Sequence, residues 1–369
     1  MPEKRILLIN WRDIKNPEAG GAEVYYHEIF RRIAAAGKYE VDVLAHGFAD
    51  ASPEEVVDGT RIVRKGGKLL FNFETVFWVM RHQHRYDLII EDINKVPFFT
   101  PLLVKKPRLH MIMHFFGSAI FNEIHPVMAS YIFAMESLVN IVYAKERFLA
   151  ISESTRKDIQ DKCPHNSAVH VVEPGIDVDF FRPTMQKDIN PLLVYFGRLK
   201  KYKNVQFIIK CLKRLQEEFP AVKLVVAGTG DYAGKLQTLT TTLQLQDVVS
   251  FPGFVSEEEK RNLLSRAWLM VNPSVKEGWG ITNIEANLCG TLSVSSNVHG
   301  LRDSVRDGET GVLFKLNNES DYVNRVARLL RDAVLRRKME AKAMAFGKQF
   351  AWDGIAHRME MILDGLFKD

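Results

Sequence analysis

Two basic residues follow a strand-like run in the second half of the chain, within YFGRLKKYKN at residues 195–204. Gly197 ends the run, and Arg198 and Lys203 lie in the loop after it. In an open α/β sheet, such a loop lies at the carboxyl ends of the strands, where ligands bind. Arg offers a planar fork of donors and Lys a point charge, so this pair suits a diphosphate. The alternative is that both are solvated, like the other basic residues of the loop.

A glycine-containing turn, KEGWGITNIEA at residues 276–286, follows another strand-like run. The pattern predicts that a helix begins near Ile281. The first N–H groups of a helix have no partner within it and carry partial positive charge. We therefore expect Ile281 and Thr282 to offer backbone amides to a phosphate, while Gly278 and Gly280 allow the anion to approach closely.

The same stretch contains two glutamates, Glu277 and Glu285. Glu285 lies about one turn into the predicted helix, where a carboxylate can accept hydrogen bonds from two adjacent hydroxyls, such as those of a ribose. Glu277 precedes the turn and therefore points to a different place. The alternative interpretation is a capped helix with two acidic residues on its surface.

Two further candidates lie in the first half of the chain. NPEAGGAEVYYHEIF at residues 16–30 is a loop that opens a helix, and Gly20 and Gly21 would admit a ligand there. His114, in MIMHFFG at residues 111–117, lies at the carboxyl end of a predicted strand and could bond a substrate hydroxyl. An ordinary turn and a satisfied core histidine are equally compatible with these two patterns.

Other chemical patterns are incomplete or misplaced. Asp177 and Asp179 match the Asp-x-Asp pair that some transferases use for a divalent metal, but they lie in the connection between the two halves. The Gly-x-Gly of AGTGDY at residues 227–232 lacks the third glycine of a dinucleotide site. The sequence has no Ser-His-Asp elbow, zinc-ligand spacing or phosphate-binding Gly-x-x-x-x-Gly-Lys-Ser/Thr loop. We therefore expect neither a metal nor a cofactor.

Short apolar runs alternate with longer amphipathic segments, which is typical of parallel sheets covered by helices on both faces. In the first half the strand-like runs are RILLIN (5–10), VDVLAH (41–46), YDLIIED (86–92), RLHMIMH (108–114) and FLAIS (148–152). In the second half they are LLVYFG (192–197), VKLVVAG (222–228), WLMVNPS (268–274) and TLSVSS (291–296). The fold class predicted is α/β, with two doubly wound domains that face each other across a cleft.

The length of 369 residues favours two domains, because a single hydrophobic core usually stops growing at a smaller size. The turn-rich segment 172–191 suggests a boundary near residue 185, which gives domains 1–185 and 186–349. The net charge is +5, and the excess of basic residues lies in the second half, the better candidate for holding an anion.

The composition favours a globular protein of a reducing compartment. Hydrophobic residues make up 46% and charged residues 26% of the chain, as in ordinary globular proteins. The three cysteines, Cys163, Cys211 and Cys289, form no CxxC pair and no disulfide framework. The N-terminal segment has no leader pattern, and no apolar run reaches the roughly 20 residues of a membrane span. We therefore expect a cytoplasmic location.

Taken together, these motifs make the chain resemble the retaining glycosyltransferases of family 4, whose GT-B fold has two facing Rossmann-like domains. The resemblance covers nearly the whole chain, and its most specific part is the pair of glutamates separated by seven residues. The motifs that carry it are GGAE (20–23), the strand-end histidine (114), AISEST (150–155), PGIDVDFFRP (174–183), GRLKKYKN (197–204), GFVSEEE (253–259), EGWGITNIEA (277–286) and DGETGVLF (307–314).

The resemblance implies that the protein transfers a hexose-type sugar from a UDP- or GDP-linked donor to a hydroxyl acceptor, with retention of the anomeric configuration and without a metal. Arg198 and Lys203 would hold the donor diphosphate, Glu285 the ribose, and Glu277 a sugar hydroxyl near the reacting carbon. Residues from about 350 to 369 would pack back on the N-terminal, acceptor-binding domain.

The remaining contacts implied by the resemblance come from both domains. Gly21 would face the phosphates, with Gly20 beside it, and His114 would contact the sugar. Phe254 and Val255 would lie against the base.

Four positions depart from the family pattern. Asn204 replaces a usual glycine, Trp279 replaces a common phenylalanine, and Pro174 stands where asparagine often precedes Gly-Ile-Asp. None of these three removes a cation that would contact the diphosphate. Phe115 follows His114 where an acid is frequent, and this difference bears on the sugar end of the site.

Residues 61–108 suggest an acceptor at a membrane. They contain ten basic and four acidic residues beside the aromatic runs LLFNFETVFWVM and VPFFTPLLV. Such a surface could rest on an anionic membrane and reach a lipid-linked or cell-surface glycan precursor. A buried helix beside a solvated basic face is an equally good interpretation. No nucleic-acid partner is expected, and the alternative functions are a GT-B nucleotide-sugar epimerase and a non-catalytic glycan-binding protein.

Overall fold

The computed structural model describes residues 4–68, 70–115, 117–122, 125–164 and 168–368. The chain forms two compact units, which are described separately below. The first comprises Met1–Gly175 together with Trp352–Asp369, and the second comprises Ile176–Ala351. The second unit begins at Ile176, earlier than the boundary near residue 185 that the turn-rich segment suggests.

Within the described residues, the first unit contains an eight-stranded sheet. Its strands are β1 (Lys4–Ile9), β2 (Tyr39–Ala45), β3 (Glu54–Val57), β4 (Thr60–Arg64), β5 (Leu88–Asp92), β6 (Arg108–Ile112), β7 (Phe148–Ala150) and β8 (Val169–Val171). Their spatial order is β3-β4-β2-β1-β5-β6-β7-β8, and the β3–β4 pair is antiparallel. The central strands β1 and β5 are parallel neighbours and are buried along most of their length, as expected for strands covered on both faces.

Helices follow most strands of the first unit. They are α1 (Gly21–Ala35), α2 (Phe71–His82), α3 (Thr100–Leu103), α4 (Pro126–Ser137), α5 (Val139–Val142) and α6 (Glu153–Lys162). A buried polar group supports the sheet: the Glu91 carboxylate at the end of β5 accepts hydrogen bonds from the Phe98 amide (2.7 Å) and the Tyr143 hydroxyl (2.7 Å). These bonds fix the loop after β5, because an unsatisfied buried carboxylate would be costly.

The part of the chain described in the second unit contains a six-stranded parallel sheet. The strands are β9 (Leu192–Phe196), β10 (Lys223–Ala227), β11 (Val249–Gly253), β12 (Leu269–Asn272), β13 (Leu292–Ser296) and β14 (Gly311–Phe314). The helices are α7 (Val205–Glu218), α8 (Ala233–Thr242), α9 (Glu257–Arg266), α10 (Ile281–Leu288), α11 (Leu301–Ser304), α12 (Glu319–Arg331) and α13 (Ala333–Gly347). The strand order β11-β10-β9-β12-β13-β14 corresponds to 3-2-1-4-5-6, the doubly wound Rossmann topology.

The last helix, α14 (Trp352–Leu366), belongs to the first unit. Its buried residues recur at helical spacing, and it packs against α1. Arg32 donates a hydrogen bond to Asp353 (2.7 Å), and Lys38 donates one to Asp364 (2.6 Å). The C-terminal segment therefore returns to the N-terminal unit, as the family resemblance implied.

The structure confirms the predicted fold class of two doubly wound, parallel-sheet α/β domains. No helix within the described residues has both the length and the apolar character required to cross a membrane.

Candidate active site

The site follows from the topology of the second sheet. Strands β9 and β12 are parallel neighbours, and the strand order reverses between them. In doubly wound sheets, ligands bind outside the carboxyl ends of the strands at this switch point. The loop after β9 carries Arg198 and Lys203, and the loop after β12 carries Glu277 and the start of α10. The topology therefore brings together two motifs that lie far apart in the sequence.

The loop after β9 is held in a defined conformation. Residues Lys201–Lys203 form one turn of 3₁₀ helix, and the amide of Val275 donates a hydrogen bond to the Tyr202 carbonyl (2.9 Å), which joins the two loops. Asn204 is buried in the left-handed region (φ 58°), and its amide group donates a hydrogen bond to Asn317 (3.0 Å). Asn tolerates this conformation better than other non-glycine residues, which explains why Asn can replace the usual glycine here.

The Gly-x-Gly of AGTGDY has a structural explanation. The Gly197 amide donates to the Ala227 carbonyl (3.1 Å), and the Leu199 amide donates to the Thr229 carbonyl (2.8 Å). A Cβ atom on Gly228 would lie 1.9 Å from the Gly197 carbonyl oxygen. The absence of a side chain at Gly228 lets the two loops approach, so this glycine supports the Arg198 loop.

Lys203 and Glu277 form an ion pair at the switch point. Their side chains are only 14% and 18% exposed, and the Ser274 hydroxyl donates a second hydrogen bond to the same Glu277 carboxylate (2.8 Å). Arg198 in the same loop is exposed and makes no ion pair with the residues that the structure describes. Of the two cations predicted to hold the diphosphate, Lys203 is therefore paired and Arg198 is open to solvent.

The predicted helix begins at Ile281, as the sequence indicated. Gly280 adopts a left-handed conformation (φ 85°), and a Cβ atom there would lie 2.6 Å from the Leu301 side chain. The amides of Ile281 and Thr282 are among the first of α10 and have no carbonyl partner within the helix. Gly278 is half-buried in the turn before them. This helix start can present backbone donors to an anion.

Glu285 is buried in α10 and pairs with Lys260 of α9. The Lys260 ammonium lies 2.8 Å from one oxygen of the carboxylate. Burial raises the pKa of Glu285, and Lys260 acts in the opposite direction without cancelling the rise. The two glutamates of the motif thus point to different partners, Glu277 to Lys203 and Glu285 to Lys260. Neither Lys260 nor Ser274 belongs to the motifs from which the site was predicted.

The two residues expected against a base follow β11 at the carboxyl edge of the same sheet. Phe254 is 81% exposed, and Val255 is half-buried. Trp279, the replacement for a common phenylalanine, is buried and contacts the Phe350 ring edge-on at 4.9 Å. The larger indole therefore belongs to the core beneath the turn.

The candidates in the first unit lie at the corresponding edge of its sheet. Gly20 is the N-cap of α1, and the Glu23 carboxylate accepts a hydrogen bond from its amide (2.6 Å). A Cβ atom on Gly21 would meet no atom within 4 Å, so packing does not require glycine at this position. His114 is half-buried just after β6.

The Asp-x-Asp pair of the connecting segment has a structural explanation. The Asp177 carboxylate accepts hydrogen bonds from the Asp179 (3.1 Å) and Phe180 (2.9 Å) amides, which gives it a structural role.

Comparison with known proteins identifies the family of the chain. The model described as "Glycosyltransferase Family 4" matches residues 19–180, and the model described as "Glycosyl transferases group 1" matches residues 179–346. A D-inositol 3-phosphate glycosyltransferase from Thermomonospora curvata is 26% identical over 400 residues, which cover 94% of this chain and 91% of that protein.

Solved structures share the fold. Sucrose-phosphate synthase from Thermosynechococcus elongatus has a TM-score of 0.80 at 20% identity, with 99% of each chain covered. Anabaena HepE, solved in complex with UDP and glucose, has a TM-score of 0.74 at 18% identity, with 98% of this chain and 100% of that chain covered. The chain belongs to the GT-B glycosyltransferases of the family 4 type. It is therefore a glycosyltransferase that acts on nucleotide sugars.

Proposed function

We propose that this protein is a retaining hexosyltransferase that transfers a sugar from a UDP- or GDP-linked donor to a hydroxyl of a glycan or glycolipid acceptor. The observation that carries the proposal is the grouping of Lys203, Glu277 and the start of α10 at the β9–β12 switch point. These groups match the needs of a reaction in which negative charge develops on a departing diphosphate.

In the proposed step, the bond between the anomeric carbon and the diphosphate oxygen breaks, and the acceptor oxygen forms a bond to the same face of that carbon. Because the new bond forms on that face, the configuration is retained, and the acceptor proton passes to the departing diphosphate. Arg198, Lys203 and the Ile281 amide stabilise the leaving group, and the proposal requires no metal. Glu277 binds a sugar hydroxyl while it holds Lys203 in place, and His114 contacts the sugar.

The remaining candidate residues are proposed to bind the nucleoside and the phosphates of the donor. Glu285 accepts hydrogen bonds from the ribose hydroxyls, and Phe254 and Val255 lie against the base. In the first unit, Gly20 and Gly21 face the phosphates. The open space around Gly21 supports this assignment, because its lack of a side chain is not explained by packing.

We also propose that α2 brings the enzyme to an anionic membrane surface, where a lipid-linked acceptor would be available. Its outer face exposes Phe73 (68%), Phe77 (73%) and Met80 (56%), which recur at helical spacing. Basic residues are close in sequence, among them Lys68 and Arg81, both exposed. Apolar side chains beside cations suit binding to anionic lipids.

Donor turnover tests the function. Each member of a panel of UDP- and GDP-sugars is incubated with the protein, and hydrolysis, transfer to a synthetic lipid-linked acceptor and the anomeric configuration of the product are measured. We expect one nucleotide to support transfer with retention, both with and without EDTA. An inverted product, loss of activity with EDTA, or conversion of the donor to an epimer without an acceptor would contradict the proposal.

A further inference from the structure

Only one of the two carboxylate oxygens of Glu285 has a hydrogen-bond partner among the described residues. Its Oε1 atom lies 2.8 Å from Lys260 Nζ, whereas its Oε2 atom is buried and has no hydrogen-bond partner among the described residues. The side chains of Lys260 and Glu285 are only 13% and 7% exposed. A buried, unpaired carboxylate oxygen is costly unless it is used by a ligand, so this atom marks a point of binding.

The surroundings of this carboxylate make Lys260 its principal source of positive charge. Lys260 and Glu257 of α9, together with Cys289 at the end of α10, are the titratable groups that act on Glu285. Lys260 also lies over the Phe181 ring, 5.2 Å from its centre. Burial lowers the pKa of Lys260, but Glu285 and Glu257 outweigh this effect, and the pKa is raised. Lys260 therefore remains charged.

We propose that Lys260 is a positioning residue, which keeps Glu285 ionised and turned so that Oε2 accepts a hydrogen bond from the paired hydroxyls of the donor nucleoside. The inference rests on the proposed function, since it takes Glu285 as the residue that binds these hydroxyls. An ionised carboxylate only accepts hydrogen bonds, whereas a protonated one carries its own donor. Without Lys260, burial would favour the protonated form.

The test is calorimetric binding of UDP and GDP to the whole protein between pH 6 and pH 8.5. The variants are Lys260→Met, which removes the charge, Lys260→Gln, which keeps a hydrogen-bond donor, and Lys260→Arg, which keeps the charge. Lys157→Met is the control, because Lys157 forms an exposed pair with Asp161 in the first unit. Melting temperatures establish that each variant is folded.

For the wild type, Lys260→Arg and Lys157→Met, we expect affinities that change little with pH. For Lys260→Met and Lys260→Gln, we expect binding about tenfold weaker at pH 6.5 and recovery as the pH rises. At a pH below the pKa of Glu285, each unit by which that pKa rises lowers the ionised fraction of the carboxylate about tenfold. In turnover assays, KM for the donor should rise much more than kcat falls.

The outcomes separate the two proposals. If the wild type binds neither nucleotide, the proposed function fails. If the wild type binds one of them and Glu285→Gln weakens that binding, but Lys260→Met and Lys260→Gln keep wild-type affinity at every pH, the role of Lys260 is overturned. The same holds if both neutral variants lose affinity equally at all pH values, since this result would indicate a purely structural contact.

Discussion

Lys203→Met removes the cation that pairs with Glu277 while it keeps most of the volume of the side chain. The Ser274 hydroxyl remains as a donor to the Glu277 carboxylate (2.8 Å), and both members of the pair retain some contact with solvent. The loss of one charge-assisted hydrogen bond should therefore lower the free energy of unfolding by about 1.5 kcal/mol. The variant should remain folded.

The effect on catalysis should be larger than the effect on stability. Removal of one preorganised donor to a developing negative charge typically costs about 10²- to 10³-fold in kcat, equivalent to roughly 2.7–4 kcal/mol. We therefore expect Lys203→Met to lose at least about 10²-fold in kcat. The assay is steady-state transfer from the preferred nucleotide sugar, with urea unfolding of the same preparation.

Lys200→Met is the matched control, because Lys200 lies in the same loop but pairs with the exposed Asp231. An exposed pair of this kind contributes about 0–1 kcal/mol, and we expect wild-type turnover. Arg198→Ala should behave like Lys203→Met. The reasoning would be refuted if Lys203→Met kept kcat near the wild-type value, or if Lys200→Met lost as much activity as Lys203→Met.

Three further predictions concern other parts of the structure. Gly280→Ala should weaken nucleotide binding measured by calorimetry, because its Cβ atom would collide with Leu301, and unchanged affinity would contradict this. Burial raises the pKa of Glu146, but hydrogen bonds and charges from His110 and Arg108 lower it more, from 4.5 to about 2. The ionised Glu146 carboxylate therefore contributes to stability above pH 4.5, and this contribution is lost as the pH falls toward 2. Urea unfolding of Glu146→Gln should therefore depend less on pH in this window than that of the wild type, and an identical dependence would refute the assignment. Phe73→Ser combined with Phe77→Ser should abolish sedimentation with anionic vesicles at low salt, whereas Val334→Ser, at an exposed site on α13, should not. Absence of wild-type binding would end the membrane proposal.

The central strands were predictable from sequence because they are apolar on both faces. RILLIN, YDLIIED and LLVYFG correspond to β1, β5 and β9 in the middle of the two sheets. Among the described strands, five were missed: β3, β8, β11 and β14 lie at sheet edges, and β4 lies next to the edge strand β3. All five are short, with three to five residues each. The antiparallel β3–β4 hairpin had a usable signal in Asp58-Gly59, a common two-residue turn.

The beginning of the second unit depends on a contact that the sequence does not reveal. The Ile176 amide donates a hydrogen bond to the Phe350 carbonyl (2.8 Å), and Ile176 pairs with Ala351. This pairing ties the turn-rich segment to the second unit, although its composition resembles that of a linker. Local turn signals therefore placed the boundary near residue 185, later than the position at which the unit begins.

Sequence reasoning located the candidate groups that lie in loops after strands, because the topology of an α/β sheet fixes where such loops meet. Arg198, Lys203 and Glu277 are examples, and the Lys203–Glu277 pair shows that their loops do meet. Lys260 was missed because its contact with Glu285 depends on how α9 packs against α10. Its sequence context, a capped and highly charged helix, is typical of a solvated surface.

Crystals of the protein grown separately with UDP and GDP provide the most direct test of the central claim. The account predicts a bound diphosphate whose oxygens lie within hydrogen-bond distance of Lys203 Nζ, the Arg198 guanidinium and the Ile281 amide. A nucleotide bound away from the β9–β12 switch point, or a diphosphate that contacts none of these groups, would contradict it.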